Sequence, residues 1–270
     1  MQSDTAYDVV RRAVAAFNSG RHGEAEHLCE QGLARQPREP TLNHLLAAIL
    51  SARNEFASAR ERIDASLTVK PNNAVALLLA ARMARTEKDF EAALSYLKRA
   101  AALGTNSDIL LETARALDQS GSRSQAREVW RAVLKALPEC SEALARLGRF
   151  AWEDGLYIDA TALLERATKD GGSASTWFDL GLAKQDLCNH AGAAVAYRRA
   201  LSTKADYAEA AMNLGVVLQE SGDLKGAMDA YGTAYRLRPS IFGTIAMALT
   251  SAPYGRMWLE ERELLRLLAG

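Results

Sequence analysis

The stretch AEAAMNLGVVLQESGDLKGAMDAYGTAYRLRP, residues 208–239, sets the pattern from which the fold of the whole chain can be predicted. It contains two segments of about a dozen residues, each with apolar residues at helical spacing, on either side of Ser221-Gly222-Asp223. Glycine suits the left-handed conformation in which many helices end, and Pro239 cannot continue a helix. The stretch therefore predicts a helix, a tight turn and a second helix.

Three columns of residues repeat this pattern along the chain at steps of 33 or 34 residues. The first column is always alanine, the second is alanine or glycine, and the third, four residues after the first, is mostly large and apolar. They consist of Ala25, Ala59, Ala93, Ala126, Ala160, Ala193 and Ala227; of Ala13, Ala47, Ala81, Ala114, Gly148, Gly181 and Gly215; and of Ile63, Leu97, Trp130, Leu164, Tyr197 and Tyr231. A fixed period of this length is typical of a solenoid, whose units are each too small to bury an apolar face alone.

Counting from these columns divides the chain into seven repeats and a C-terminal remainder. Residues 1–241 hold the repeats, which begin near residues 6, 40, 74, 107, 141, 174 and 208. Residues 242–270 contain the first helix of an incomplete eighth repeat and then an amphipathic helix with Trp258, Leu259 and four further leucines. A solenoid needs its last apolar face covered, so this helix is expected to act as a cap. Its surplus of leucines leaves self-association into a homo-oligomer as the alternative.

Composition excludes several classes of protein. The 33 basic residues equal the 33 acidic ones, so no net charge favours nucleic acid or an anionic membrane as a partner. The first residues lack the pattern of a secretory signal, and no apolar run reaches the roughly 18 residues that span a bilayer. Three cysteines are too few for a disulfide scaffold and suit a reducing compartment. We therefore expect a cytoplasmic protein without a membrane span.

The last complete repeat resembles a tetratricopeptide repeat. The resemblance is carried by Leu214-Gly215, Gly222-Asp223, Ala227, Tyr231, Ala234 and Pro239, and in the preceding repeat by Trp177 ahead of Leu180-Gly181. It extends from residue 6 to about 241, because seven repeats agree in phase. It implies an all-α, right-handed superhelical solenoid whose first helices line a concave groove. It also implies a non-catalytic scaffold that binds a peptide segment of a partner protein in that groove.

The same resemblance implies which side chains face the groove, namely those at positions 2, 5, 6, 9, 12 and 13 of each repeat. They are apolar towards the N-terminus, rich in arginine at the centre, and mixed apolar and acidic towards the C-terminus. The candidate groove residues are Phe17, Leu45, Leu78, Arg82, Arg115, Arg146, Arg149, Trp152, Phe178, Met212 and Asn213. The arginines could bind carboxylates, or be neutralised by Glu112, Asp118 and Glu153. Trp152 could anchor a ligand or stack on Arg149.

No motif for catalysis or for a cofactor occurs in the sequence. Walker loops, dinucleotide fingerprints, nucleophile elbows and zinc-protease motifs are all missing. His27 and Cys29 could suggest a metal site, but residues two apart on a helix face different ways and Cys29 falls in the large core column. We therefore expect no enzymatic activity, no cofactor and no metal. Two alternatives remain: an assembly chaperone for an apolar client segment, and an accessory substrate-recruiting subunit of a separate enzyme.

Overall fold

The computed structural model describes residues 6–251 and 261–269, and this part of the chain is α-helical apart from its turns and one 3₁₀ turn at Pro239–Ile241. The chain divides into two compact halves between Ala136 and Leu137. The N-terminal half contains four helix pairs: α1 (Ala6–Asn18) with α2 (His22–Arg35), α3 (Pro40–Ala52) with α4 (Phe56–Val69), α5 (Ala74–Thr86) with α6 (Phe90–Leu103), and α7 (Ser107–Gln119) with α8 (Arg123–Ala136).

The C-terminal half contains three further pairs and two single helices. The pairs are α9 (Ser141–Glu153) with α10 (Tyr157–Thr168), α11 (Ala174–Asp186) with α12 (His190–Thr203), and α13 (Ala208–Glu220) with α14 (Leu224–Leu237); α15 (Phe242–Ser251) and α16 (Glu261–Ala269) follow. The predicted all-α fold of stacked helix pairs is confirmed. Trp258 and Leu259, which the sequence assigns to the last helix, lie outside the described residues.

Each pair is closed by the same short turn. One residue in every turn has a left-handed backbone, and the residues are Gly20, Asn54, Lys88, Gly121, Gly155, Cys188 and Gly222. The second helix begins two residues later, and in several pairs the side chain of the residue just before it forms the N-cap. Asp89, Asn189 and Asp223 each accept a hydrogen bond from the backbone N–H three residues on. Turn and cap together fix where one helix stops and the next starts.

The small and large columns form the contact within each pair. The seven alanines of the first column are all buried, as are the large residues four positions later. In the sixth and seventh pairs a tyrosine ring lies directly against a glycine of the first helix. A Cβ atom built on Gly181 or Gly215 would stand 2.4 Å from Cε1 of Tyr197 or Tyr231. Only glycine allows this approach, and Gly148 makes a similar one to Leu164 in the fifth pair, where a Cβ atom would lie 2.7 Å from the leucine side chain.

The end of the array departs from the repeat. Helix α14 packs against α13 and α16, while α15 contacts α13. Leu264 and Leu268 of α16 are buried in the same apolar core as Tyr231, and Arg236 donates to the backbone carbonyl of Leu268 at 3.3 Å. A Cβ atom on Gly232 would lie 3.1 Å from that carbonyl oxygen. Helix α16 therefore covers α14, and the absence of a side chain at Gly232 lets the backbone of α16 come close to it.

Candidate functional site

The surface that could receive a ligand is carried by the first helices of the pairs. Within the N-terminal half, α1, α3, α5 and α7 contact one another in order, while each second helix packs on its partner and on the first helix that follows. The same holds for α9 and α11 in the C-terminal half. Side chains of first helices that point away from the second helices therefore form an inner surface in each half.

A buried carboxylate organises the inner surface of the N-terminal half. Glu112, whose side chain is only 3% exposed, accepts from Arg85 Nε at 3.0 Å and from Arg115 Nη1 at 2.7 Å. Arg82 Nε lies 3.3 Å from the same carboxylate, and Arg85 also donates to Gln119. We call these three arginines and Glu112 the arginine cluster. All three guanidinium groups approach the Glu112 carboxylate, and the Arg82 side chain remains 46% exposed.

The apolar candidates of the N-terminal half differ in how far they reach the surface. Phe17 is half-buried, with its ring 5.3 Å from that of His22, and Leu78 is half-buried as well. Tyr7 is 77% exposed. Leu45, expected in the groove, is instead 6% exposed and belongs to the core between α1, α2 and α3, because neighbouring helices cover its position.

In the C-terminal half, one arginine is held on several sides. Arg149 donates from Nε to Glu153 at 2.9 Å and from Nη1 to Asp179 at 2.7 Å. Its guanidinium carbon lies 4.5 Å from the ring centroid of Trp152, whose indole N–H donates to Asp186 at 2.6 Å. Of the two roles open for Trp152, the structure therefore realises stacking on Arg149. A side chain held in this way presents its remaining N–H groups in one fixed orientation.

Burial and charge act in opposite directions on this ion pair. Burial alone would lower the pKa of Arg149, but the bonds to Glu153 and Asp179 raise it above its ordinary value. Burial raises the pKa of Asp179 in spite of the facing guanidinium.

Both Arg149 and Asp179 border a cavity of about 450 Å³ between α9, α11 and the loop before α11. Its polar lining consists of Arg146, Arg149, Glu142, Asp179 and the hydroxyls of Ser141, Ser173, Ser175 and Thr176.

The remaining candidates lie further along the C-terminal half. The Phe178 ring is half-buried and lies 5.0 Å from the ring of Tyr207 and 5.7 Å from that of Tyr197. Asn213 is half-buried next to Tyr197. Met212, expected in the groove, is 9% exposed and lies in the core with Tyr231, because position 5 of this repeat is covered by its neighbours.

Sequence reasoning missed two glutamines at position 12 of their repeats. Gln185 accepts from the hydroxyl of Tyr197 at 2.7 Å, and Gln219 accepts from that of Tyr231 at 2.8 Å. Gln219 also donates to the carbonyl of Ala248 in α15 at 3.0 Å. The signal was available, because both tyrosines stand twelve residues after a glutamine.

The described residues offer no group of three or more histidine, cysteine or acidic side chains placed to hold a metal ion. Cys29 is buried, and burial raises the pKa of its thiol to about 12, which keeps it protonated and unreactive. Across residues 6–251 and 261–269, none of the helices combines the length and apolar character needed to cross a membrane.

Comparisons with known proteins agree with this architecture. Sequence models of the tetratricopeptide repeat match residues 16–82, 111–175 and 178–240, more than two thirds of the chain. No curated protein matches the sequence.

Several solved structures share the fold. PilF of Pseudomonas aeruginosa is 16% identical with a TM-score of 0.66, over 74% of this chain and 91% of that one. YrrB, described as a TPR protein with an unusual peptide-binding site, is 18% identical with a TM-score of 0.56, over 67% and 95%. A chain of the APC/C hetero-tetramer Cut9-Hcn1 is 17% identical with a TM-score of 0.64; the match spans 96% of this chain but 48% of that one. At these identities the likeness concerns the fold.

Proposed function

Because the chain belongs to the tetratricopeptide repeat family, we propose that it is a non-catalytic adaptor that binds a segment of a partner protein along its first helices. The small columns are fully used by packing within the pairs, so specificity must come from the side chains of the inner surface. YrrB, a structural neighbour, is described as carrying a peptide-binding site, which supports the same class of function.

The observation that carries the proposal is the arginine cluster. Glu112 is too deeply buried to serve a ligand itself, whereas the Arg82 side chain beside it is 46% exposed. Glu112 instead holds Arg85 and Arg115 in fixed positions. Pre-organised guanidinium groups bind carboxylates with directed, charge-assisted hydrogen bonds. The segment that suits this surface carries aspartate or glutamate.

The experiment compares proteins recovered from native lysate by the wild type and by Arg82→Glu. Arg82 is the most exposed member of the cluster, so its replacement leaves the bonds of Arg85 and Arg115 to Glu112 in place. Losing one charge-assisted contact and adding a repulsive charge should weaken binding by roughly tenfold to a hundredfold, measured by calorimetry on the recovered partner. The matched control is Lys98→Glu, the same change of charge at an exposed position on α6. Equal affinity of both variants and the wild type would contradict the proposal.

A second candidate function is an assembly chaperone that holds an apolar client segment. It is favoured by the inner surface of α1, where Tyr7 is 77% exposed and Val10, Val14 and Phe17 are only half-buried. The two functions differ in their response to salt. Binding through arginines should weaken as ionic strength rises, whereas binding through apolar contacts should not.

A further inference from the structure

Three exposed apolar side chains meet at the turns of the fifth and sixth helix pairs, in the C-terminal half. Leu156 is 54% exposed, Ile158 is 74% exposed and Leu187 is 40% exposed. With Gly155, Tyr157 and Asp159 they line a surface cavity of about 400 Å³. None of these residues belongs to the inner surface of the first helices, so the cavity is a feature separate from the site described above.

Comparison among the seven repeats shows that each of the three side chains is an exception at its position. The turns share one backbone design, so equivalent positions serve as internal references. In the other repeats the position of Leu156 holds Arg21, Glu55, Asp89, Ser122, Asn189 and Asp223. The position of Ile158 holds Gly23, Ala57, Glu91, Ser124, Ala191 and Lys225. The position of Leu187 holds Ser19, Arg53, Glu87, Ser120, Asp154 and Ser221. The large apolar exceptions at these three positions all line the same cavity.

Leu156 also works against the local structure. It occupies the N-cap of α10, where its side chain accepts no hydrogen bond, whereas Asp89, Asn189 and Asp223 cap their helices at the equivalent position. Ile158 gains little from packing, since most of its surface faces solvent. Residues that violate a local rule without a gain in packing mark sites kept for another purpose.

The charges around the cavity restrict what can bind there. Of the six residues that line the cavity, Asp159 is acidic and none is basic. The carboxylate of Asp159 attracts a basic partner and repels an anionic lipid surface.

We propose that this cavity is a second docking site, for a segment of a partner protein that inserts a large apolar side chain between Leu156, Ile158 and Leu187 and carries lysine or arginine beside it. An apolar anchor in a pocket with a complementary charged rim is the usual arrangement of an interface hot spot. The site is independent of the groove function proposed above.

The test is selection from a phage library of random twelve-residue peptides. Phage are selected on the wild type after depletion on the double variant L156N/I158A, which carries the residues found at these positions in the next repeat, Asn189 and Ala191. Because asparagine restores the missing N-cap, the variant should melt at a higher temperature than the wild type, which removes unfolding as an explanation of lost binding. The selected peptides should combine a large apolar residue with lysine or arginine. A synthetic copy should bind the wild type at least tenfold more tightly than L156N/I158A.

Two further variants complete the design. L224S removes the exposed leucine of the next turn and should bind the peptide like the wild type, and Arg82→Glu should do so as well. Failure to recover any peptide that distinguishes wild type from L156N/I158A would overturn the proposal, and so would recovery of acidic peptides. Binding of wild type, but not of L156N/I158A, to vesicles of phosphatidylcholine and phosphatidylserine would assign the patch to a membrane and also overturn it.

Discussion

At the scale of single residues, three turns carry a side chain where the backbone favours glycine: Asn54, a residue type that tolerates this conformation, and Lys88 and Cys188, which do not. Lys88 and Cys188 have φ angles of 64° and 56°, in the region where a side chain costs roughly 1–2 kcal/mol. Replacing either residue by glycine should raise the free energy of unfolding by about 0.5–1 kcal/mol, after allowing for the greater freedom of glycine in the unfolded chain. The measurement is urea denaturation of each variant. Gly155→Ala is the converse control: it meets no neighbour within 4 Å, so its destabilisation would reflect the backbone alone.

A second residue-scale feature predicts a dependence on pH. His44 in α3 has a buried Nδ1 atom without a hydrogen-bond partner, and burial lowers the pKa of its imidazole below the usual 6.5. The unfolded chain therefore binds a proton at a higher pH than the folded one does. The stabilisation from neutral His44 is complete above pH 6.5 and is lost as the pH falls from there towards the folded pKa. His44→Gln should lose less stability than the wild type between pH 7 and pH 5, measured by the urea midpoint.

At the scale of helices, Gln219 joins three elements through one side chain. It is 1% exposed, accepts from Tyr231 of α14 and donates to the carbonyl of Ala248 in α15. Gln219→Met keeps the volume but leaves the buried hydroxyl of Tyr231 without its acceptor and removes the hydrogen bond to Ala248, which should cost roughly 1–3 kcal/mol. Hydrogen exchange should then show faster opening of α15. Tyr231→Phe removes one of the two bonds and should leave the exchange of α15 nearly unchanged, in contrast to Gln219→Met.

The helices could be predicted from the sequence because each small column has one cause, the close contact within a pair. The depth to which each groove candidate is buried could not be predicted from the sequence. Leu45 at position 6 of its repeat lies in the core, whereas Arg146 at position 6 of another repeat is exposed. The polar contacts of the site follow a spacing that becomes clear only with the structure. Arg85 bonds to Glu112, 27 residues later, which is about one repeat minus two helical turns. Arg149 bonds to Asp179, 30 residues later, which is about one repeat minus one turn. Choosing among the charged residues at such spacings requires knowing how neighbouring first helices are aligned.

At the scale of the molecule, the array ends because its last pair differs from the others. The position of Gly232 holds Glu30, Asp64, Lys98, Arg131, Glu165 and Arg198 in the earlier repeats. Gly232→Lys should push α16 away from α14, because the Cβ atom alone would lie 3.1 Å from the Leu268 carbonyl oxygen. Hydrogen exchange across residues 261–269 should rise strongly. The exposed-site control Asp229→Lys, also on α14, should leave that exchange unchanged, and equal exchange in both variants would contradict this role for Gly232.

The contact between Gly232 and α16 also constrains how a chain of this kind can lengthen during evolution. Duplicating an internal repeat copies the ordinary charged residue at this position and yields one more stackable pair. Duplicating the last repeat would instead place a glycine fitted to a terminating helix inside the array, where no such helix arrives. A new repeat inserted ahead of α13 therefore leaves this contact intact, whereas one inserted after α14 has to replace α16.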